Sequence, residues 1–475
     1  MKLKHLREPE LEFDHGKHID IRYGLMNYGP HDLEQLRRPQ SIKVGVVGSS
    51  ASISQSSEWL DKCSEPVAAK ESDKPNLFPH FPGFCQEHTF KSELVLDSSL
   101  TQQITPRDLS PKAKDWKYEE KIRHMADVFS LNIAALAEKS PDVILLAMPE
   151  ELIAFLAEAE DSRIASKTRL KLEFHDLVKG LSMSSGCPIQ LVRPSTWDSK
   201  IARRLKDERS KSVATQDEAT RAWNLFTALY YKAGGFPYRV PRPETSYDTC
   251  YIGIAFFVTP DKKSVQSSVA NVFNERGHGV AVKGKEAKIS RVDRQPHLSA
   301  EDSTLLFKDC LQAYRTEHKR LPARVVIHKS SQFSQFEKEG FLEGADALNI
   351  DLCDMMSVSR SSSRLFREGY YPPLRGTWWQ KTHDEHNLYT RGSVDFYQEY
   401  PGMYVPMTLG VKLAEFGTEP RQLMEELLVL SKTNWNNTQI DSLMPITISA
   451  ARKVGEILRW NADGKMPERA YKYFM

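Results

Sequence analysis

The sequence lacks any apolar run that approaches the roughly 18 residues a helix needs to cross a bilayer. Its first residues, MKLKHLREPELEF, also lack the continuous apolar core of a secretory signal peptide. These two absences lead us to expect a cytoplasmic protein that has no membrane-spanning segment.

Cysteine is scarce and scattered, and no two cysteines form a C-x-x-C pair. Several of the six cysteines lie inside apolar runs, where a small thiol packs like any other apolar side chain. This pattern argues against a zinc site or a disulfide framework and favours buried thiols in a reducing compartment.

Positive and negative charges nearly balance over the whole chain, and the net charge is only +2. Residues 161–245, however, contain sixteen Lys or Arg against nine Asp or Glu, a local excess of seven positive charges. A basic stretch of this kind is as readily a solvated surface as a nucleic-acid contact.

The two common phosphate-binding motifs are absent as well. Residues 42–48 (IKVGVVG) read as a buried strand that leads into Ser49, Ser50 and a helix, but neither G-x-G-x-x-G nor the P-loop Lys-Ser/Thr follows. We therefore interpret this segment as a tight turn in an α/β domain.

The order of patterns along the 475 residues predicts an α/β protein with an arm and two domains. Residues 1–40 are polar and interrupted by Pro and Gly, as in an arm packed on the main body. Residues 41–240 alternate apolar strands with amphipathic helices, which predicts a Rossmann-like parallel sheet. After a Pro-rich hinge, residues 241–475 show adjacent strands (250–258, 279–283) and then helix, strand and helix, the order of an RNase H-like domain.

Four polar residues of the first domain form a candidate anion site. His175 and Lys179 are four residues apart and share one helix face, Gln190 lies in the next strand, and Lys232 ends the following helix. Lysine and histidine supply positive charge and glutamine a hydrogen-bond donor, so the set could converge on a terminal phosphate.

With this set in place, the chain resembles the short prokaryotic Argonautes, which consist of a MID and a PIWI domain. The resemblance covers nearly everything from residue 40 to the end and rests on a series of short motifs. These are YKAGGFPY from Tyr231, YIGI from Tyr251, P-x-RVVIHK from Pro322, PLRGT from Pro373, YT-x-GS from Tyr389, KTNWN from Lys432 and PITI from Pro445.

The resemblance implies a MID domain at 41–240 that anchors the 5′-phosphate of a guide through His175, Lys179, Gln190 and Lys232. It also implies that the C-terminal carboxylate, here that of Met475, shares a Mg²⁺ ion with this phosphate. Guide–target base pairing would then supply the sequence recognition, while the protein holds the backbone.

For the PIWI domain at 241–475, the resemblance places three metal-ligand positions on Ala255, Ser330 and Ala450. A methyl group and a hydroxyl cannot replace carboxylates around two metal ions, so we expect no nuclease activity. Asp261 and Asp293 are the nearby acids that could substitute, which leaves open an active guided endonuclease with non-standard ligands. A scaffold that binds nucleic acid without a guide is the other alternative.

Short Argonautes of this kind typically pair an RNA guide with a single-stranded DNA target. The resemblance therefore implies a partner chain with an APAZ region and an NAD-consuming effector domain, sirtuin-like rather than TIR. The two chains would form a heterodimer that can assemble further on activation, and defend the cell against plasmids or phages by depleting NAD.

Overall fold

The structure is a computed structural model, and it describes the greater part of the chain. The described residues are 2–110, 116–153, 155–156, 173–198, 216–241, 247–259, 265–273, 279–366, 368, 372–402, 405–440, 442–460 and 470–475.

The N-terminal arm is built into the body of the protein. Its elements are β1 (Lys2–His5), β2 (Leu11–Glu12), β3 (Lys17–His18) and α1 (Ile21–Tyr28). The Asp20 side chain caps α1 by accepting hydrogen bonds from the backbone amides of Arg22 and Tyr23. Strand β1 pairs antiparallel with residues 377–380 and so lengthens the sheet of the second domain.

A buried charge cluster fixes this arm to the second domain. The Glu8 carboxylate lies 2.9 Å from Arg375 Nε and 2.7 Å from Lys432 Nζ. Burial alone would raise the pKa of Glu8, but the two cations outweigh it and the pKa is lowered. Removing the Glu8 carboxylate would leave two cations inside the protein without it.

The first domain contains a parallel sheet with the order β5-β4-β6-β7. Its strands are β4 (Ser41–Gly48), β5 (Glu93–Gln103), β6 (Val143–Ala147) and β7 (Ile189–Val192). The helices around it are α2 (Ser50–Lys62), α3 (Pro106–Leu109), α4 (Tyr118–Ala137), α5 (Phe174–Ser182) and α6 (Glu218–Lys232). Strand β6 is entirely buried, as a central parallel strand covered on both faces must be.

The second domain is organised around one large mixed sheet. Its strands are β8 (Thr249–Val258), β9 (Val265–Phe273), β10 (Gly279–Lys283), β11 (Glu286–Ile289), β12 (Pro296–His297), β13 (Arg324–Lys329), β14 (Leu352–Ser361), β15 (Thr377–Gln380), β16 (Glu385–Leu388) and β17 (Thr408–Glu415). Within the described residues the sheet has 11 strands in the order β1-β15-β16-β17-β14-β13-β8-β9-β11-β12, with β10 also paired to β9.

The helices of this domain cover the sheet. They are α7 (Ala300–His318), α8 (Gln335–Ala347), α9 (Pro420–Leu430) and α10 (Ile446–Leu458). Helix α10 approaches β8 so closely that a Cβ atom on Gly253 would lie 2.1 Å from the carbonyl oxygen of Thr447. A glycine is therefore required at this crossing.

The predicted α/β class is confirmed, as is the pairing of a Rossmann-like domain with an RNase H-like one. Strands β8, β13 and β14 run parallel, while β9 and β17 flank them antiparallel. The sequence pattern missed β9 and β1. Five of the six cysteines are buried, in agreement with the expectation of buried thiols. In the described part of the chain, no helix combines the length and the hydropathy that crossing a bilayer requires.

Candidate anion site and nucleic-acid interface

Two buried lysines define the candidate anion site of the first domain. Lys179 lies in the second half of α5 and is 3% exposed, whereas Lys232 is the last residue of α6 and is fully buried. Amphipathic patterning makes both helices turn these positions inward, towards the edge of the parallel sheet. Lysine is seldom buried without a partner for its charge, so their partners decide what this site can do.

The two ammonium groups meet at the end of the chain. Lys232 Nζ donates to the backbone oxygens of Ile189, at 3.0 Å, and Met475, at 3.2 Å, and also to Gln190 Oε1. Lys179 Nζ donates to the same Met475 oxygen. Lys179, Gln190, Lys232 and Met475, which were predicted from the sequence to act together, are thus brought together by the fold.

The electrostatics of this group favour an anion. Burial lowers the pKa of Lys232 to about 7. The pKa of Lys179 is also lowered well below its ordinary value, first by burial and then by the charge of Lys232. A bound anion would stabilise both ammonium groups in this low-dielectric site and raise both pKa values again.

His175 has different neighbours from the other predicted site residues. Its Nδ1 lies 2.9 Å from Asp176 Oδ1, and Lys453 Nζ, from α10, lies 2.6 Å from the same oxygen. Burial lowers the pKa of His175 to about 4, so its ring is neutral at pH 7. An aromatic, uncharged ring can stack on a base or donate one hydrogen bond, but it adds no positive charge.

Lys453 is a residue at this site that the sequence pattern did not reveal. It comes from α10 of the second domain, 277 positions from Asp176, and no local motif marks it. The pKa of Asp176 falls to about 2, because the hydrogen bond from His175 and the charge of Lys453 outweigh its burial. The pair ties α5 to α10 and so joins the two domains beside the lysines.

The oxygen atoms at this site fit a Mg²⁺ ion shared with a phosphate. Gln190 Oε1 and the Met475 oxygen both contact Lys232 Nζ, so both lie next to this ammonium group. Mg²⁺ usually takes only one or two protein oxygens and fills its octahedral shell with phosphate oxygens and water. Among the described residues, no group of three or more His, Cys, Asp or Glu side chains could hold a metal ion by itself.

The three predicted ligand positions of the second domain carry no carboxylate. Ala255 lies in β8 and is 1% exposed, and Ala450 lies in α10 and is fully buried. The Ser330 amide donates to the carbonyl oxygen of Ile254 at 2.9 Å, so Ser330 is a direct neighbour of Ala255 across the parallel strands.

Asp293, the candidate substitute acid that the structure describes, is already engaged. Asp293 Oδ2 lies 2.8 Å from His297 Nε2, and the other ring nitrogen, Nδ1, lies 2.9 Å from Glu337 Oε2. Glu337 in turn pairs with Lys329, at 2.7 Å and with both side chains fully buried. Asp261, the other candidate substitute, lies outside the described residues, as do most of the cations of the basic stretch 161–245.

Comparison with known proteins identifies relatives through structure alone. No model of a known protein family and no curated protein matches the sequence. Clostridium butyricum Argonaute, solved with a guide DNA and a 19-mer target DNA, matches 100% of this chain with a TM-score of 0.62 and 15% identity. Drosophila Piwi matches 99% of the chain with a TM-score of 0.59 and 14% identity. The protein Aa-Ago, solved with an externally bound siRNA, matches 96% with a TM-score of 0.57 and 14% identity.

The chain spans little more than half the length of these structures, namely 55%, 56% and 53%. At such low identities the likeness establishes the fold and leaves the activity open. The fold is Argonaute-like, and it corresponds to the MID and PIWI part of those proteins.

Proposed function

We propose that this chain is a guide-binding Argonaute that holds the 5′-phosphate of a short RNA guide and recognises complementary single-stranded DNA. The observation that carries the proposal is the pair of buried lysines, Lys179 and Lys232, whose ammonium groups share one oxygen of Met475. A bound terminal phosphate would favour the protonated form of both lysines, so the buried pair would supply two positive charges to the phosphate.

Each residue of the set has a separate part in this proposal. The two lysines bind phosphate oxygens, Gln190 holds Lys232 in place, and the neutral ring of His175 lies at the side where the first base would stack. Mg²⁺ held by the Met475 carboxylate and the phosphate would neutralise the remaining negative charge. Because the contacts are made to the guide backbone, binding should weaken as salt is added.

We also propose that the chain does not cut its target. Ala255, Ser330 and Ala450 offer no oxygen anion for the two metal ions that phosphodiester hydrolysis requires. The carboxylate of Asp293 is engaged with His297, which supports the proposal that this acid does not replace a missing metal ligand. The PIWI domain would then serve as a cradle for the guide–target duplex and as the trigger of a second activity.

That second activity would belong to another chain. By its resemblance to short Argonautes, the protein would form a heterodimer with an APAZ-containing partner that bears a sirtuin-like or TIR effector. Target recognition would switch on NAD consumption and so halt the spread of a plasmid or phage. Measuring NAD loss by the co-purified pair, with matched and mismatched single-stranded DNA, tests this part. NAD loss that does not depend on the target would contradict it.

The guide site is tested by comparing 5′-phosphorylated and 5′-hydroxyl RNA of one sequence in a binding assay. We expect Lys232→Met to weaken binding of the phosphorylated RNA about 10- to 100-fold, the value of a charge-assisted hydrogen bond. The control is Lys62→Met, which removes an exposed lysine paired with Glu218. Equal affinity of the wild-type protein for both RNAs would refute the phosphate site and favour a guide-independent scaffold.

The absence of cleavage is tested with labelled matched DNA and the guide-loaded protein in Mg²⁺ or Mn²⁺. We expect intact target after long incubation. Discrete products that require the guide would instead establish the endonuclease with non-standard ligands, and Asp293→Asn would then show whether that acid takes part.

A further inference from the structure

A short β-hairpin beside Ala255 and Ser330 has features that the proposed function does not use. It consists of β11, β12 and the turn 290–295 between them, and we call it the basic hairpin. Strand β11 pairs with the first residues of β9, which themselves pair with Phe257 and Val258 at the carboxyl end of β8. The hairpin therefore stands at the edge of the sheet where β8 and β13 end.

The turn of this hairpin is well defined by its own hydrogen bonds. The Ser290 amide donates to the Gln295 carbonyl at 2.9 Å, and the Arg294 amide donates to the Ser290 carbonyl at 3.0 Å. Arg294 has a φ of 56°, a left-handed conformation that costs a non-glycine residue free energy. The turn thus keeps Arg294 in an unfavourable conformation that a glycine at this position would relieve.

A chain of polar side chains, exposed at Asp293 and fully buried at Glu337 and Lys329, fixes the hairpin to the end of β13. Asp293 binds His297, whose other ring nitrogen faces Glu337, and Glu337 binds Lys329. A second connection runs beside it, because the Gln332 amide donates to Gln295 Oε1 at 2.6 Å. Lys329 immediately precedes Ser330, so the turn and the catalytic position of an active relative are parts of one rigid cluster.

The outer surface of the hairpin is positively charged and carries an unusual exposed side chain. The hairpin itself contains three cations (Lys288, Arg291, Arg294) against two acids (Glu286, Asp293), and Asp293 is engaged with His297. Lys283 precedes the hairpin, and Lys285 beside it pairs with Asp309 at 3.3 Å. Arg291 and Arg294 are exposed, and Val292 between them is 97% exposed. Proteins that bind a nucleic-acid groove combine arginines with apolar side chains placed against it.

We propose that the basic hairpin binds the backbone of the guide–target duplex, with Arg291 and Arg294 on phosphates and Val292 against the groove between them. The occupant follows from charge complementarity and from position, because ligands of α/β sheets lie outside the carboxyl ends of the strands. This inference rests on the proposed function for the identity of the duplex. It goes further because it assigns contact with the duplex to one segment of the chain, the basic hairpin.

The test is binding of a preformed RNA–DNA duplex whose 5′ ends are hydroxyls, so that the guide 5′-phosphate site is not involved. We expect Arg291→Ala with Arg294→Ala to weaken binding on the order of tenfold at 0.1 M salt. The slope of log K against log salt should become less steep by about 2, one for each lost phosphate contact. Replacing both arginines by lysine should restore most of the affinity and the slope.

The matched control is Arg123→Ala with Arg421→Ala, which removes two exposed arginines from α4 and α9. If the hairpin variant has the same affinity and slope as this control, or if the wild-type protein does not bind the duplex, the inference is wrong. A hairpin variant that binds the duplex normally but loses its partner chain would also overturn it, in favour of an acidic protein surface.

The two proposals fail separately. The preference of the protein for 5′-phosphorylated over 5′-hydroxyl RNA reports on the lysine site and should not change in the hairpin variant. Loss of that preference in the wild-type protein would refute the guide site while leaving the duplex measurement valid.

Discussion

Raising the pH from 7 to 9 should weaken binding of a 5′-phosphorylated guide by up to about 50-fold, because the site must take up a proton. In the free protein, burial lowers the pKa of Lys232 to about 7, so half of the molecules carry this charge at pH 7. At pH 9 about 1% do. A bound phosphate restores the pKa towards its ordinary value, so each pH unit between the two pKa values costs up to about 1.4 kcal/mol of binding free energy.

The stability of the free protein should change in the opposite direction. Between pH 7 and 10 the unfolded chain binds the Lys232 proton and the folded protein does not, so the free energy of unfolding rises with pH. A pKa lowered from 10.5 to about 7 corresponds to at most about 5 kcal/mol of unfavourable burial below pH 7. The Met475 oxygen that accepts from Lys232 offsets part of this cost.

The assay is titration of labelled RNA at constant ionic strength across this pH range, with 5′-phosphate and 5′-hydroxyl versions in parallel. The second pKa of a phosphate ester is near 6, so the ligand itself does not lose affinity above pH 7. Lys232→Gln should reduce the pH dependence, and what remains reports on Lys179. A change below threefold in the wild-type protein, or an equal change for the hydroxyl RNA, would refute the reasoning.

Three further predictions concern the folded state and are checked by denaturant unfolding. Glu8→Gln should lower the free energy of unfolding by about 3–5 kcal/mol, because it leaves two buried cations without their carboxylate, whereas the surface variant Arg421→Ala should cost under about 1 kcal/mol. Gly253→Ala should lower the free energy of unfolding by about 1–3 kcal/mol or more, because the new Cβ clashes with α10. Gly180→Ala is the control, because its Cβ would have its nearest neighbour at 3.6 Å and would not clash. Ala255→Asp should destabilise by at least about 3 kcal/mol through an unpaired buried carboxylate, and an unchanged free energy of unfolding would contradict the expectation that nothing there compensates this charge.

The sequence determined the local elements and the order of the two domains. Strand β4 follows from the apolar residues of its sequence, SIKVGVVG. Helix α9 follows from the helical spacing of the apolar residues after Pro420. The strand predicted at 250–258 is β8, which begins one residue earlier and ends at the same residue. These features are predictable because the periodicity of apolar residues is a local property of the chain. Lys179, Gln190 and Lys232 could be predicted to act together because Gln190 lies in a strand of the parallel sheet and the two lysines lie in the helices before and after it.

Tertiary structure decided the contacts between distant segments. Strand β1 joins the sheet only because β15 presents an edge to it, and nothing in four residues of an arm specifies that edge. Lys453 reaches Asp176 across 277 positions. Burial in the folded protein lowers the pKa of His175 and so turns it from an expected cation into a neutral ring. The charge chain from Asp293 to Lys329 likewise depends on where β12, β13 and α8 meet. Burial and partner charges are set by packing, so the protonation state of a site residue is fixed by the folded protein and not by its neighbours in sequence.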